Sequence, residues 1–119
     1  LLEITEQYPD TADRLVEISR TADLLVNATP VGMWPHGDST IWPAEVPIPS
    51  QLTVFDLVYN PPTTRLLRQA RASGARAVDG LDMLVRQGAL AFEMWTGEDA
   101  PVPAMRRACQ RALGHGSRQ

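Results

Sequence analysis

Residues 54–97 read VFDLVYNPPTTRLLRQARASGARAVDGLDMLVRQGALAFEMWTG. This stretch divides into a short apolar strand over 53–58, a helix opened by Pro61-Pro62-Thr63-Thr64, a second short strand over 75–78, and a long helix over 81–95 stopped at Gly97. Short runs of β-branched and aromatic residues bounded by turn residues mark strands. Proline in a first turn and Ser73-Gly74 at the end mark the limits of the first helix. On that helix Leu66, Leu67 and Ala70 recur at helical spacing and form its inner side. On the second, Leu81, Leu84, Val85, Gly88, Phe92 and Trp95 fall on one arc, which is expected to face the sheet. Met83, Gln87, Leu90, Ala91 and Met94 form a second apolar stripe beside it, leaving only a narrow polar strip around Arg86 and Glu93. A helix apolar on two sides is buried between two bodies, so a partner or another domain is expected on the second stripe. A buried amide at Gln87 has to be hydrogen-bonded, either to a loop carbonyl or to a ligand.

Working outward, Leu24-Leu25-Val26 is a compact apolar run ending in polar residues, as a buried parallel strand reads. Residues 29–50 are rich in Pro and Gly and carry Trp34 and Trp42; the aromatic content predicts a long, packed loop. Upstream, Pro9-Asp10-Thr11 starts a helix with Leu15, Val16 and Ile18 on its apolar side, and residues 1–5 suit a strand. Downstream, Pro101-Val102-Pro103 opens a last helix with Val102, Met105, Cys109 and Leu113 on one face, followed by a disordered tail over 114–119. Strands alternating with helices imply a parallel sheet and an α/β fold. Three strand ends carry polar or aromatic residues: Asn27-Ala28-Thr29, Asp56 to Tyr59, and Asp79-Gly80. Ligands of open α/β sheets bind at the carboxyl ends of strands, so these ends form a candidate pocket wall.

The chain has 119 residues, 44% hydrophobic, with a net charge of −3; its pI is near 5.2. That is one domain at most, and its acidity gives no case for nucleic acid or an anionic membrane as partner. All eleven basic residues are arginines, spread along the chain. No apolar run reaches the roughly 20 residues of a membrane span. The single Cys109 cannot form an internal disulfide, which fits a reducing cytoplasm, and reads as a small helix residue turned inward. His36 and His115 lack metal-ligand spacing with Cys109, so no metal is expected, and no G-x-S-x-G nucleophile elbow occurs.

Three segments, NATPVGM (27–33), FDLVYNPPTT (55–64) and DGLDMLVRQGALAFEMWTG (79–97), occur in an order and spacing that resemble the shikimate dehydrogenase family, with the likeness covering about residues 22–113. The resemblance implies that residues 1–113 form the C-terminal part of an NADP-binding, Rossmann-like domain. It implies an oxidoreductase that reversibly reduces 3-dehydroshikimate to shikimate, in aromatic amino acid and chorismate biosynthesis. By matching position it implies that Tyr59 and Gln87 hydrogen-bond the substrate. It places Thr29 near the nicotinamide ribose, Leu57 along the cofactor, the Gly80 backbone at the carboxamide and Met83 against the nicotinamide ring. A quinate/shikimate paralogue using NAD or NADP shares these segments, and a non-catalytic α/β interaction module is the reading from a different class.

Departures from the family pattern bound the expectation. The proton-transfer pair implied by the resemblance is a lysine and an aspartate in an N-terminal substrate domain, and this chain has no lysine. It also has no G-x-G-x-x-G in the context of a first strand, so the phosphate-binding turn is expected upstream. Asp82 stands where family members often have a small residue. The chain is therefore expected to be the carboxyl-terminal piece of a larger enzyme and inactive alone. Its implied partners are the N-terminal domain of that enzyme and, in isolation, a second copy meeting it through the Met83/Gln87/Leu90/Met94 face.

Overall fold

The structure, a computed structural model, describes residues 10–116. The strand expected at residues 1–5, Pro9 at the head of the first helix, and residues 117–119 lie outside them. The described elements are α1 (Asp10–Ser19), β1 (Leu24–Asn27), β2 (Thr53–Asp56), α2 (Arg65–Ala72), β3 (Arg76–Val78), α3 (Leu81–Thr96) and α4 (Val102–Gly116). The three strands form one parallel sheet in the order β1-β2-β3. Register sets Asn27 opposite Asp56 and Phe55 opposite Val78, so the strands end nearly level. The α/β class with a parallel sheet is as the alternating pattern predicts.

Local chemistry explains each boundary of the β2–α2–β3 unit. Thr64 has extended backbone geometry and its hydroxyl accepts from the Leu67 amide at 3.3 Å, which caps α2. Leu66, Leu67 and Ala70 face inward and are fully buried. Gly74 and Gly97, at φ of 78° and 72°, take the left-handed conformation that ends α2 and α3.

The long segment between β1 and β2 does the work of a crossover without a helix or strand. Trp42 and Ile48 sit in the main core with Leu52, Val54 and Leu66. The Trp42 indole donates to the Val46 carbonyl at 2.7 Å. Gln69 of α2 clasps the same loop, accepting from the Thr40 hydroxyl at 2.6 Å and donating to the Trp42 carbonyl at 3.3 Å. The Ile48 amide donates to the Ser73 hydroxyl at 3.0 Å. Each bond satisfies a loop group that burial would otherwise leave unpaired. The expectation of a packed loop holds for Trp42; Trp34 is 67% exposed.

Three details differ from the sequence reading. Ile18 points outward, because the inward row of α1 runs through Leu15, Val16 and the buried Ser19. The Gln51 amide then stoppers α1 by donating to the Ser19 and Arg20 carbonyls at 3.2 and 3.1 Å. Trp95 does not face the sheet: it is 82% exposed, one turn past the last half-buried residue of α3, Phe92. α3 packs chiefly along α4, with Gly88 against Met105 and an ion pair between Asp82 and Arg106. Val102, Met105, Cys109 and Leu113 make the half-buried face of α4, as their spacing predicts. α4 runs past Gly114 to Gly116, because a glycine mid-helix only weakens a helix and does not by itself end one.

The two tryptophans of the long loop should separate sharply in a stability measurement. Trp42→Ala is expected to lower unfolding free energy by about 3–5 kcal/mol, and Trp34→Ala by no more than about 0.5 kcal/mol. Urea titration followed by circular dichroism reads both.

Candidate functional site

The carboxyl ends of β1 and β2 lead into two loops that face each other across a cleft of about 420 Å³, lined by Ala28, Thr29, Pro30, Met33, Trp34, Leu57, Val58, Tyr59 and Asn60. This is where open parallel sheets bind ligands, since the strand ends leave room there that crossovers do not fill. The volume lies within the usual range of small-molecule sites. A backbone bond from the Trp34 amide to the Asn60 carbonyl, at 2.8 Å, joins the two walls at the outer end.

At the inner end the walls share a polar network. The Asn27 carboxamide donates to Asp56 Oδ1 and to the Val31 carbonyl, both at 3.1 Å. Its oxygen accepts from the Thr29 amide at 3.1 Å and from the Thr29 hydroxyl at 2.6 Å. Asn27 therefore uses both donors and both acceptor sites, and its orientation is set because only the NH2 group can face a carboxylate. Asp56 Oδ1 also accepts from the Val58 amide at 3.0 Å, and Oδ2 accepts from the Thr64 hydroxyl at 2.7 Å. The Thr29 hydroxyl in turn accepts from the Val31 amide at 3.2 Å. Its proton is thus committed to Asn27, leaving the exposed oxygen as an acceptor for anything bound beside it.

Gly80 enters this site from β3. A Cβ there would stand 2.5 Å from the Leu57 carbonyl oxygen and 3.0 Å from that of Asp56. Since φ at Gly80 is −82°, its value is the space it leaves, not a left-handed turn. The closeness seats the start of α3 on the end of β2. The Asp79 carboxylate accepts from the Leu81 amide at 3.0 Å and supplies the cap that Gly80 cannot.

Of the residues singled out in the sequence, Thr29, Leu57 and Tyr59 line the cleft, and Gly80 abuts Leu57. Met83 lies one turn into α3 and is exposed. Gln87, a further turn along, is exposed as well, so it is not the buried amide that the apolar stripe suggests. Leu90 and Met94 are 65% and 81% exposed. Among the described residues only Ala91 of that stripe is half-buried, so periodicity alone overstates its burial. Asp82 faces Arg106 of α4 and not the cleft. Segment 41–50 belongs to the core and does not fold over the cleft. Met33, Trp34 and Asn60 are cleft residues that motif reading left unassigned. They lie several residues beyond the ends of β1 and β2, where only the folding of the two loops towards each other brings them to the cleft.

A parallel sheet with a cleft across adjacent strand ends, and a helix whose leading glycine abuts the backbone behind one wall, defines a Rossmann-like α/β domain. The family model described as "Shikimate 5'-dehydrogenase C-terminal domain" matches residues 80–110. The shikimate dehydrogenase (NADP(+)) of Methanopyrus kandleri is 55% identical over 96 residues, covering 81% of this chain and 33% of the relative. The crystal structure of the Thermus thermophilus shikimate 5-dehydrogenase in complex with NADP(H) and shikimate superposes with a TM-score of 0.73 at 46% identity, covering 82% of this chain and 37% of that one. Quinate dehydrogenase from Corynebacterium glutamicum, in complex with NAD, superposes with a TM-score of 0.71 at 36% identity, over 81% of this chain and 33% of that one. The chain is similar to the C-terminal portion of shikimate dehydrogenases and spans about a third of the length of the relatives it matches.

Gly80→Ala tests the seat of α3. The added methyl group meets backbone, which gives way only by moving α3 from β2, so a loss of about 1–3 kcal/mol is expected. A denaturant midpoint equal to that of the unsubstituted protein would show that α3 does not depend on this close approach for its seat on β2.

Proposed function

We propose that this chain supplies the nicotinamide-facing part of an NADP-dependent shikimate dehydrogenase, which interconverts 3-dehydroshikimate and shikimate. The observation that carries this reading is the cleft itself: two strand-end loops bring Thr29, Leu57 and Tyr59 together, and Gly80 abuts one wall. The cleft suits a flat ring with one polar edge. Leu57, Met33 and Trp34 offer apolar surface, and Thr29, Tyr59 and Asn60 offer polar atoms. A bound nicotinamide would supply hydride transfer. This chain's residues would bind and orient: Leu57 and Met83 against the ring, the Gly80 backbone at the carboxamide, the Thr29 oxygen beside the ribose.

Tyr59 and Gln87 are proposed to hydrogen-bond the substrate. Tyr59 stands at the cleft and Gln87 on the exposed face of α3. Having no lysine, the chain is assigned binding and not proton transfer, which falls to the N-terminal domain of the whole enzyme. That domain is also the occupant proposed for the exposed stripe of Met83, Gln87, Leu90 and Met94. Isolated from it, the chain would self-associate through the same surface. A cytoplasmic location accords with the free Cys109 and with the described helices, none of which is long and apolar enough to cross a membrane. The likeness to a quinate dehydrogenase supports a second reading, in which the same cleft serves quinate and NAD.

The deciding assay follows absorbance of the reduced nicotinamide in the full-length protein, with shikimate or quinate against NADP or NAD. Shikimate-dependent reduction of NADP is expected, and Gln87→Ala should lower kcat/KM for shikimate by roughly ten- to a hundredfold while leaving cofactor affinity intact. Turnover of quinate with NAD alone would establish the second reading; no turnover with any pair would remove both.

A further inference from the structure

Asp56 is fully buried, and among the described residues its partners are all neutral donors: Asn27 Nδ2, the Val58 amide and the Thr64 hydroxyl. A carboxylate is a demanding choice for that position. Burying its charge without a cation is unfavourable, and a neutral side chain would pack there with less penalty. What a carboxylate offers in return is two acceptor oxygens with capacity for several bonds at once. Here those bonds reach three separate parts of the fold: the end of β1 through Asn27, the loop after β2 through Val58, and the first turn of α2 through Thr64.

The link from Asp56 continues past its direct partners. Asn27 is held by Asp56 on one side and by Thr29 and Val31 on the other, so the orientation of the Thr29 hydroxyl depends on a carboxylate that Thr29 does not touch. On the opposite wall the Asp56 bond to the Val58 amide folds the chain directly beneath Leu57 and Tyr59. The Leu57 amide completes the circuit by donating to the Asn27 carbonyl at 3.1 Å. Both walls of the cleft therefore take their geometry from one buried group.

We propose that Asp56, acting through Asn27, is a positioning residue that sets the Thr29 wall and the Leu57–Tyr59 wall in register for the cofactor. The proposal rests on the dehydrogenase reading above for the identity of the ligand; the mechanical coupling of the two walls stands on the geometry alone. Charge-assisted bonds to a buried carboxylate are stronger than bonds between neutral groups, which suits a hinge point between two loops. The effect belongs to cofactor binding and not to the chemical step, because Asp56 is sealed from the cleft by the residues it holds.

The test uses Asp56→Asn in the full-length protein, with Asn27→Ser as a second variant that spares the buried carboxylate should the first fail to fold. Two readouts are taken. Amide hydrogen exchange without ligand is measured over segments 28–34 and 57–60, with 102–113 of α4 as reference. Steady-state kinetics give KM for NADP and kcat with shikimate. Both variants are expected to exchange several-fold faster in both segments with α4 unchanged, and to raise KM for NADP about tenfold while kcat stays within about threefold.

Faster exchange confined to 57–60, or spread evenly through α4, would overturn the proposal, since the first shows no coupling between the walls and the second a global loss of stability. An unsubstituted protein inactive with shikimate and NADP would remove the dehydrogenase reading, and the exchange pattern would still decide the coupling. Normal activity with unaltered exchange over 28–34 in both variants would leave the enzyme assignment standing and remove the positioning role.

Discussion

A carboxylate buried at the end of the central strand constrains much of what surrounds it. Asp56 is fully buried, and removing its charge from water carries a penalty of several kcal/mol unless every lone pair finds a donor. The donors it finds are drawn from β1, from its own following loop and from the cap of α2. Each must stay in place for the others to be satisfied. Asn27 has no spare capacity once it faces Asp56, Val31 and Thr29, so the loop after β1 follows from the same requirement. The cleft is in this sense a by-product of keeping one charge content: its two walls are the two chain segments that lead away from the network.

The segment between β1 and β2 shows how a crossover can be made without regular structure. A parallel pair needs a long connection, usually a helix. Here the apolar load is carried by Trp42 and Ile48, and the backbone groups left over are met by Thr40, Gln69 and Ser73. Because Gln69 and Ser73 belong to α2 and its cap, the loop is tied to the same helix whose other end is capped by Thr64 and, through it, by Asp56. Core and cleft thus meet in α2. The exposed Trp34, by contrast, stands at the cleft, held to the opposite wall through its backbone and not its indole.

α3 begins against the sheet and leaves it. Gly80 lets its first turn touch the Leu57 carbonyl, and Val85 and Ala89 remain buried, but the helix packs chiefly along α4 and leaves Leu90, Met94 and Trp95 exposed. The Asp82–Arg106 pair joins the two helices at the surface, where such a bond contributes about 1 kcal/mol at most. Apolar packing between Gly88 and Met105 is the firmer link. β1 has a similar open character, with Leu24 and Val26 exposed and β2 as its neighbour among the described residues. Both features accord with a chain that spans a third of its relatives' length.

The amino-acid pattern by itself determined the α/β class, the parallel sheet, the C-terminal end of α2, the limits of α3, the inward faces of α2 and α4, and the likeness to shikimate dehydrogenases; the helix expected from Pro61 begins only at Arg65, because Thr64 is its cap and both prolines lie before it. These are local properties: strand runs, caps at Thr64 and Gly97, and helical spacing act within a few residues and survive without knowledge of the rest. It also marked Thr29, Leu57, Tyr59 and Gly80, because all follow strand ends. Only the tertiary structure decided which apolar residues are covered. Ile18, Trp34, Gln87 and Trp95 stand at positions whose pattern predicts packing, yet they are exposed, since burial depends on what lies opposite a face and periodicity describes the face alone. The Asn27–Asp56–Thr64 network was equally out of reach: its members are 29 and 8 residues apart, and hydrogen bonds of that span exist only once the parallel register has brought the strand ends level.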